Sequence, residues 1–211
     1  MDKIICVGKN YPDHAAELGD AQPNKPVLFL KPPSVLRHCS ASGECLELTL
    51  PSHSSAVHHE VELVFRIGKG GFRMSIDDAQ HALDAVTVGL DMTLRDLQTT
   101  AKKAGAPWTT GKVFPDAAVV GPWLDLANLN EIENQEFALF IDGALRQQSK
   151  ANHMIFNPAE CLAYASTFFP ICEGDLLFTG TPVGVAPVSV NQTATLTFST
   201  ISYRVHWARQ A

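Results

Sequence analysis

The sequence lacks the marks of several large classes of protein. Its five cysteines are scattered and include no C-x-x-C pair, which argues against a disulfide framework and against a thiolate zinc site. No run of Lys or Arg is present and the formal net charge is −6, so neither nucleic acid nor a membrane surface is expected as a partner. We interpret the cysteines as reduced packing residues: Cys6, Cys39, Cys45, Cys161 and Cys172.

Long apolar runs are also missing. The apolar stretch at residues 4–7 is too short for a signal-peptide core and far too short to span a bilayer, which predicts a cytoplasmic location. No repeat, low-complexity tract or Gly/Ser linker interrupts the 211 residues, which predicts a single domain over residues 1–211. With 45% hydrophobic residues, the chain can bury a sizeable core.

Short apolar stretches rich in Val, Ile and Phe predict strands. They cover residues 4–7, 26–30, 61–67, 85–90, 137–141 and 175–179. Asp142-Gly143 predicts a tight hairpin turn. Helical patterns are fewer and cover residues 12–18, 93–103 and 157–167, with Asn157 as a candidate N-cap and Pro158 in the first helical position. Because helices do not alternate regularly with strands, we expect an α+β, mainly β architecture instead of a doubly wound parallel sheet.

Two carboxylates stand two residues apart near the start of the third predicted strand. Side chains of a strand alternate between its faces, so Glu60 and Glu62 are expected on one face and Val61 on the other. Keeping both ionised in a partly buried site is costly, and a divalent cation would neutralise them. Asp91 follows another apolar stretch where a helical pattern begins, so it can complete the set. Three oxygen ligands favour Mg²⁺, Mn²⁺ or Ca²⁺ over Zn²⁺.

Other interpretations of this region stay open at the level of sequence. An E-x-E pattern on a strand is commonly a solvated face, with no role in binding. His53, His58 and His59 offer a rival imidazole site for Zn²⁺, although they lack the standard ligand spacing.

Motifs along nearly the whole chain occur in the order found in one known family. They are ICVGKNY (5–11) with His14, PVLFLKP (26–32), HHEVEL (58–63), GLDMTLRDLQ (89–98), GAPW (105–108) with Lys112, Gly174-Asp175 and FTGTPVGV (178–185). The chain thereby resembles the fumarylacetoacetate hydrolase family, in its small single-domain branch of acylpyruvate hydrolases and oxaloacetate decarboxylases. The resemblance implies a mixed β-sandwich or roll with a few peripheral helices, and a homodimer. It also implies Mg²⁺ or Mn²⁺ on Glu60, Glu62 and Asp91, with Ca²⁺ as a non-native occupant.

The resemblance assigns further roles. His14 and Glu17 match the family's catalytic pair, and their spacing of three would place them on one side of a helical turn. Lys112 matches a lysine that faces the substrate. Three positions match residues that contact the carboxylate and oxo groups of the substrate: Arg95, Gln98 and Thr181. Without the resemblance, His14 would be interpreted as a surface histidine, Arg95 and Gln98 as a solvated helix face, and the residues around Thr181 as a turn.

The implied reaction is metal-dependent hydrolysis of a carbon–carbon bond in an acylpyruvate of the fumarylpyruvate or acetylpyruvate type, with water activated by His14. The same chemistry on a small 2-oxo acid or 1,3-dicarbonyl substrate leaves three alternatives: decarboxylation of oxaloacetate, its tautomerisation, and isomerisation of 2-hydroxyhepta-2,4-diene-1,7-dioate. The chain departs from the family pattern after Lys112, at residues 149–152 and at residues 188–191, which bears on substrate choice. A further alternative, of a different class, is a non-catalytic module that binds metal or a 2-oxo acid.

Overall fold

The computed structural model describes residues 1–17 and 21–209. Its helices are α1 (Pro12–Glu17), α2 (Ile76–Ala82), α3 (Arg95–Ala104), α4 (Thr109–Lys112) and α5 (Pro158–Ser166). Its strands are β1 (Ile4–Gly8), β2 (Val27–Lys31), β3 (Leu36–His38), β4 (Cys45–Leu50), β5 (Val57–His59), β6 (Val61–Ile67), β7 (Leu83–Asp91), β8 (Thr93–Leu94), β9 (Ala118–Val120), β10 (Leu124–Asp125), β11 (Glu136–Ile141), β12 (Ala144–Lys150), β13 (Leu176–Phe178), β14 (Ala186–Pro187), β15 (Thr193–Phe198) and β16 (Ile201–Arg209). The expected mainly β fold with few helices is confirmed.

The strands of the described residues form three sheets. The largest has eight strands in the order β2-β1-β13-β6-β7-β9-β3, with β10 paired to β7. A sheet of five strands has the order β12-β11-β15-β16-β4, and a small sheet of three has the order β14-β5-β8. Parallel pairs (β1 with β13, β3 with β9, β4 with β16) occur among antiparallel ones, so the sheets are mixed.

The five-stranded sheet covers one face of the eight-stranded sheet. Tyr203 of β16 is fully buried and donates its hydroxyl to the carbonyl of Val88 in β7, at 3.0 Å. Only glycine at position 121 leaves room for the Tyr203 ring, because a Cβ there would lie 2.5 Å from a ring carbon. The central strands β6 and β7 are therefore buried on both faces, which explains their nearly continuous apolar sequence.

Most local sequence signals are confirmed. All six predicted strands are present, and Asp142 and Gly143 have φ angles of 50° and 80°, as a type I′ hairpin requires. Asn157 caps α5 by accepting from the amide of Glu160. The predicted helix over residues 12–18 is α1, with Leu18 outside the described residues, and the one expected from residue 93 begins at Arg95.

Two further expectations concern the whole chain. All five cysteines are free thiols, as expected, and Cys6, Cys39 and Cys161 are buried. Cys45 and Cys172 are exposed, so their interpretation as packing residues is wrong. No helix in the described residues is long and apolar enough to cross a membrane.

Candidate active site

Antiparallel pairing of β6 with β7 brings the three predicted metal ligands together. Val61 pairs with Leu90, and just beyond this pair the amide of Asp91 donates to the carbonyl of Glu60, at 2.9 Å. Glu60 lies at the break between β5 and β6, and Glu62 follows two residues later. One ligand oxygen from each of Glu60, Glu62 and Asp91 lies within 4.8 Å of the other two. The exposed fractions of these residues are only 5%, 2% and 1%, which excludes the solvated-face interpretation.

Glu62 is held by a loop with an unusual backbone conformation. Its Oε2 accepts a hydrogen bond from the amide of Gly180, at 2.7 Å. Gly180 has φ +96°, and a Cβ there would lie 2.8 Å from the Cβ of Asn10. A side chain at position 180 would therefore disturb both the backbone and its contact with Asn10.

Three buried or partly buried cations face the carboxylates. The Lys112 ammonium lies 2.8 Å from Glu60 Oε2 and 2.6 Å from Asp91 Oδ2, and it also donates to Thr93 Oγ1 at 2.7 Å. Arg95 pairs with Glu60 through a short contact. Lys31, only 1% exposed, lies 2.5 Å from Asp91 Oδ1 and donates to the carbonyls of Met92 and Ala117. Three carboxylates are thus accompanied by three side-chain cations.

Burial and charge move the pKa values within this cluster in opposite directions. Burial favours a raised pKa for Glu60, but the positive charges of Lys112 and Arg95 outweigh it and hold the pKa well below its usual range. Burial, reinforced by the charges of Asp91 and Glu60, raises the pKa of Glu62 well above 4.5. Burial alone would lower the pKa of Lys112, yet Asp91 and Glu60 raise it. The three side-chain cations therefore leave the carboxylate cluster incompletely neutralised at Glu62.

The arrangement fits a divalent cation. The candidate ligands are all hard carboxylate oxygens, which suit Mg²⁺ or Mn²⁺. Among the described residues, Asp91 Oδ1 is contacted by the Lys31 ammonium, at 2.5 Å, and by no other donor. A further positive charge beside Glu62 would remove the repulsion that raises its pKa.

The rival zinc site is not assembled. Among the described residues, His53, His58 and His59 do not bring three ligand atoms together. His53 is exposed, and His59 is buried with its Nδ1 2.9 Å from Gln147 Oε1. The alternative of an imidazole zinc site is therefore excluded for the described residues.

The predicted catalytic pair lies on α1. His14 is 5% exposed, so it is not a surface histidine, and its Nδ1 lies 3.0 Å from Glu17 Oε2. The other oxygen of Glu17 accepts from the amide of Gly184, at 3.2 Å. Asn10, just before α1, is fully buried and binds the carbonyls of Phe156 and Thr179. These contacts hold the beginning of α1 against the loop that carries Gly180.

The structure brings all but one of the predicted site residues to a single narrow cavity with about 30 Å³ of free volume. Glu17 is not in the lining but contacts the lining residue His14. The lining residues are His14, Glu60, Glu62, Asp91, Arg95, Gln98, Lys112 and Thr181, with Val7, Gly8, Lys9, Phe29, Lys102 and Trp108.

Contacts with each other, with Glu60 and with the backbone of Val61 hold the predicted substrate-binding residues in place. Arg95 and Gln98 begin α3, and Arg95 donates to Gln98 Oε1 at 2.5 Å. Gln98 is 5% exposed and Thr181 is 3% exposed, so neither lies on a solvated face. The Thr181 hydroxyl donates to the carbonyl of Val61, at 2.8 Å. All three positions therefore adjoin the segment that carries the candidate metal ligands.

Several residues of this region carried no functional prediction from sequence. Lys31 was visible only as a charge at the end of an apolar strand, which is an unusual place for a lysine and was a usable signal. Phe29 and Trp108 form an aromatic wall with ring centroids 5.8 Å apart. Gln147 lies in the other sheet, in a strand with otherwise polar sequence, and nothing local distinguishes it.

The departure from the family pattern after Lys112 leaves the contacts with the site intact. Phe114 is buried, and Asp116 adopts φ +62° and accepts from the amide of Thr49. The carbonyl of Ala117 accepts from Lys31 and from the amide of Met92. The altered loop thus still supports the segment next to Asp91.

The chain is similar to known proteins along nearly its whole length. The model of the fumarylacetoacetate (FAA) hydrolase C-terminal family matches residues 3–202. An oxaloacetate tautomerase from Oryza sativa subsp. japonica is 40% identical over 193 residues, covering 90% of this chain and 83% of that protein. The oxaloacetate tautomerase YcgM of Escherichia coli (strain K12) is 37% identical over 199 residues, covering 94% and 89%. The crystal structure of fumarylpyruvate hydrolase from Pseudomonas aeruginosa with Mn²⁺ and pyruvate superposes with a TM-score of 0.94, at 35% identity, covering 100% of this chain and 91% of that one.

Proposed function

Because the chain belongs to the fumarylacetoacetate hydrolase family, we propose that it is a divalent-metal-dependent enzyme that interconverts the keto and enol forms of a small 2-oxo acid, with oxaloacetate as the substrate. The observation that carries the proposal is one cavity that joins a buried carboxylate cluster, its cations and the His14–Glu17 pair. The names of the oxaloacetate tautomerases that match most of the chain support this choice of reaction.

The charges of the cavity indicate the class of substrate. When all three carboxylates are ionised, as metal ligands would be, their charge equals that of the three cations paired with Glu60 and Asp91, which are Lys31, Arg95 and Lys112. Among these six groups, a bound divalent cation would then leave an excess of two positive charges in a largely buried site, where uncompensated charge is costly. A dianionic 2-oxo acid such as oxaloacetate would restore neutrality. This match favours a dicarboxylate over a neutral or monoanionic compound.

In the proposed mechanism, Glu60, Glu62 and Asp91 would hold Mg²⁺ or Mn²⁺, which supplies Lewis acidity to the oxo group of the substrate. Arg95 and Gln98 would bind a carboxylate of the substrate through N–H groups that are not already bonded to Glu60 or to each other.

His14 would take a proton from the carbon next to the oxo group and return it to oxygen, giving the enol. Glu17 would orient the imidazole and stabilise its charged form through Nδ1. Lys112 would stabilise the negative charge that develops on the substrate oxygen, because its ammonium is buried beside the cluster.

Hydrolysis of an acylpyruvate is the second candidate, and a specific feature of the structure favours it. A chamber of about 380 Å³ adjoins the narrow cavity and shares Phe29, Trp108 and Lys112 with it. Its other lining residues are mostly apolar and come from β2 and from the segment before α4. An acyl group could occupy this chamber while the pyruvate end faces the carboxylates, and His14 would then activate water. The similarity to the fumarylpyruvate hydrolase supports this alternative.

The experiment follows the enol absorbance of oxaloacetate, acetylpyruvate and fumarylpyruvate with purified protein in Mg²⁺, Mn²⁺ or EDTA, and measures pyruvate separately. Metal-dependent loss of the oxaloacetate enol without pyruvate would support the tautomerase. Pyruvate from oxaloacetate would instead indicate decarboxylation, and pyruvate with an acid from an acylpyruvate would indicate the hydrolase. Binding of Mn²⁺ and oxalate without any turnover would indicate a non-catalytic module and contradict the proposal.

Leu28→Ala separates the two candidates further. Leu28 lines the chamber and not the narrow cavity, so the variant would raise KM for fumarylpyruvate if acylpyruvates are substrates and leave turnover of oxaloacetate nearly unchanged. We also propose that the protein acts as a cytoplasmic homodimer, which size-exclusion chromatography with light scattering and localisation of a tagged chain would test.

A further inference from the structure

Gln147 reaches the candidate site from the other sheet. It lies on β12, an edge strand of the five-stranded sheet, between the exposed residues Arg146 and Gln148. Its own side chain points inward and is only 1% exposed. A buried glutamine must find partners for both its amide hydrogens and its oxygen, because an unmatched polar group in the interior is costly.

The surroundings of Gln147 determine which way its amide points. Oε1 accepts from the backbone amide of Val61 at 3.0 Å, and Nε2 donates to the carbonyl of Pro182 at 2.9 Å. A backbone amide can only donate and a carbonyl can only accept, so the reverse orientation would break both bonds. The second bond of each end goes to a side chain: Oε1 to His59 Nδ1 at 2.9 Å and Nε2 to Thr181 Oγ1 at 2.8 Å.

This orientation determines the protons of two neighbours. Because Gln147 Oε1 is an acceptor only, the Nδ1 of His59 must carry the proton in that bond. The Thr181 hydroxyl receives one hydrogen from Gln147 and gives its own to the carbonyl of Val61, at 2.8 Å. A ligand that meets this hydroxyl would therefore find a hydrogen-bond acceptor, which suits a donor such as an enol hydroxyl and not the carboxylate or oxo oxygen that the resemblance assigns to Thr181.

The residues that Gln147 holds lie on both sides of a candidate metal ligand. His59 and Val61 flank Glu60, which lies at the break between β5 and β6 and is tied to β7 through the hydrogen bond from the amide of Asp91 to its carbonyl. Thr181 and Pro182 follow Gly180, whose amide binds Glu62. A single amide thus joins the segment of Glu60 to the loop that orients Glu62 and carries Thr181.

We propose that Gln147 is a positioning residue that sets Glu60, Glu62 and Thr181 at the mutual distances needed for metal and substrate. The inference rests on the proposed function, because Gln147 can position metal ligands only if the carboxylates bind a metal. It extends the site from the sheet of β6 and β7 to the second sheet of the sandwich. Gln147 is not among the residues that line the cavity, so its effect would be on the geometry of binding.

The chain offers a matched control in the next residue. Gln148 is exposed and donates to Glu136 Oε2 at the surface, so Gln148→Met makes the same chemical change on the opposite face of β12. We expect Gln147→Met to raise the Kd for Mn²⁺ by about tenfold or more, measured by titration calorimetry. The Kd for oxalate on the Mn²⁺-loaded protein should rise as well. Gln148→Met should match the wild-type protein in both.

The results separate this inference from the proposed function. If the wild-type protein binds no Mn²⁺, the proposed function fails and the role of Gln147 fails with it. If the wild-type protein and Gln147→Met bind Mn²⁺ and oxalate equally well, while the variant only melts at a lower temperature, Gln147 is a structural residue and the inference alone is overturned.

A second measurement needs no variant at position 147. Long-range ¹H–¹⁵N spectra of the wild-type imidazoles report which ring nitrogen carries the proton, with His59→Gln used to assign the signal. We expect His59 to be protonated on Nδ1 at neutral pH. A proton on Nε2 alone would mean that the amide of Gln147 does not have the described contacts, and would overturn the inference even if Gln147→Met failed to fold.

Discussion

Lys112 and Asp91 form a buried ion pair, with 2.6 Å between Nζ and Oδ2, inside the set of carboxylates that we propose to bind metal. The same ammonium also contacts Glu60. Lys112 thus supplies part of the positive charge that these carboxylates need, and a divalent cation would have to bind in its presence. Like charges repel strongly at this separation in a buried site, so the lysine and the metal are expected to oppose each other.

Lys112→Met should separate metal binding from catalysis. Removing the ammonium should lower the Kd for Mn²⁺ by about tenfold, because one repulsive charge is lost. Turnover should fall by roughly 100-fold or more, because the charge that stabilises the developing oxyanion is also lost. Titration calorimetry and the oxaloacetate assay measure the two effects, with Lys103→Met on the exposed side of α3 as the control. Unchanged or weaker Mn²⁺ binding would contradict the proposed opposition.

Glu60→Gln and Glu62→Gln should have opposite effects on the metal-free protein. The folded-state pKa of Glu60 is lowered, so its charge stabilises the fold above pH 4.5, and the neutral variant should lose roughly 3 kcal/mol at pH 8. The folded-state pKa of Glu62 is raised, so its stabilising contribution is complete below pH 4.5 and is lost as the pH rises through the folded value. At pH 8 in EDTA, Glu62→Gln should therefore be more stable than the wild-type protein.

Both variants should lose the stabilisation that Mn²⁺ confers, because each lacks one of three candidate ligands. Thermal unfolding with EDTA and with Mn²⁺ provides all of the comparisons. A destabilised Glu62→Gln protein at pH 8, or a variant that Mn²⁺ still protects fully, would show that the charges are not arranged as described.

Glu17→Gln tests the catalytic pair. The amide can still contact His14 but cannot stabilise an imidazolium, so kcat should fall by about 10- to 100-fold with little change in KM. Asp13→Asn makes the corresponding change on the same helix at an exposed position and should retain wild-type kinetics. Equal rates for Glu17→Gln and the wild-type protein across the pH range would remove Glu17 from the mechanism.

Asp175→Asn tests a structural carboxylate away from the site. Its Oδ1 accepts from the amides of Asp2 and Lys3, and its Oδ2 from the amide of Cys172 and from Lys3 Nζ. Burial favours a higher pKa for Asp175, but these hydrogen bonds outweigh it and lower the pKa. The variant should lose roughly 2 kcal/mol of unfolding free energy at pH 7.

The sign of the pH dependence follows from the lowered pKa. The stabilisation by Asp175 is complete above the unfolded-state pKa of 3.8 and is lost as the pH falls through the folded-state value. The difference between Asp175→Asn and the wild-type protein should therefore be constant from pH 7 to about pH 5 and shrink below pH 3.8. Denaturant titrations measure it, with Asp77→Asn at an exposed position as the control. A difference that does not change with pH would exclude the charged form as its source.

The strands that the sequence did not reveal have a common feature. Continuous apolar stretches predicted β6 and β7, which are buried on both faces. By contrast, β15 and β16 alternate buried with partly or fully exposed residues, as strands with one solvated face do. Their period of two was present in the sequence, but a search for continuous apolar runs passes over it. Segments of three residues such as β3 and β9 carry no usable local period.

The sequence by itself determined the features that depend on neighbours along the chain. The spacing of Glu60 and Glu62, the helical turn that joins His14 to Glu17, and the Asp142-Gly143 hairpin all follow from local backbone geometry. Motif order along the chain was enough to indicate the family, which its match over residues 3–202 then showed.

Only the tertiary structure decided how the site is neutralised and held. Lys31 and Lys112 reach Asp91 from distant parts of the chain, and Gln147 reaches the segment of Glu60 from another sheet. Burial strengthens such charge and hydrogen-bond contacts, and it penalises any group left without a partner. Local sequence patterns indicate which residues are buried, but which of them meet depends on how the sheets pair and pack.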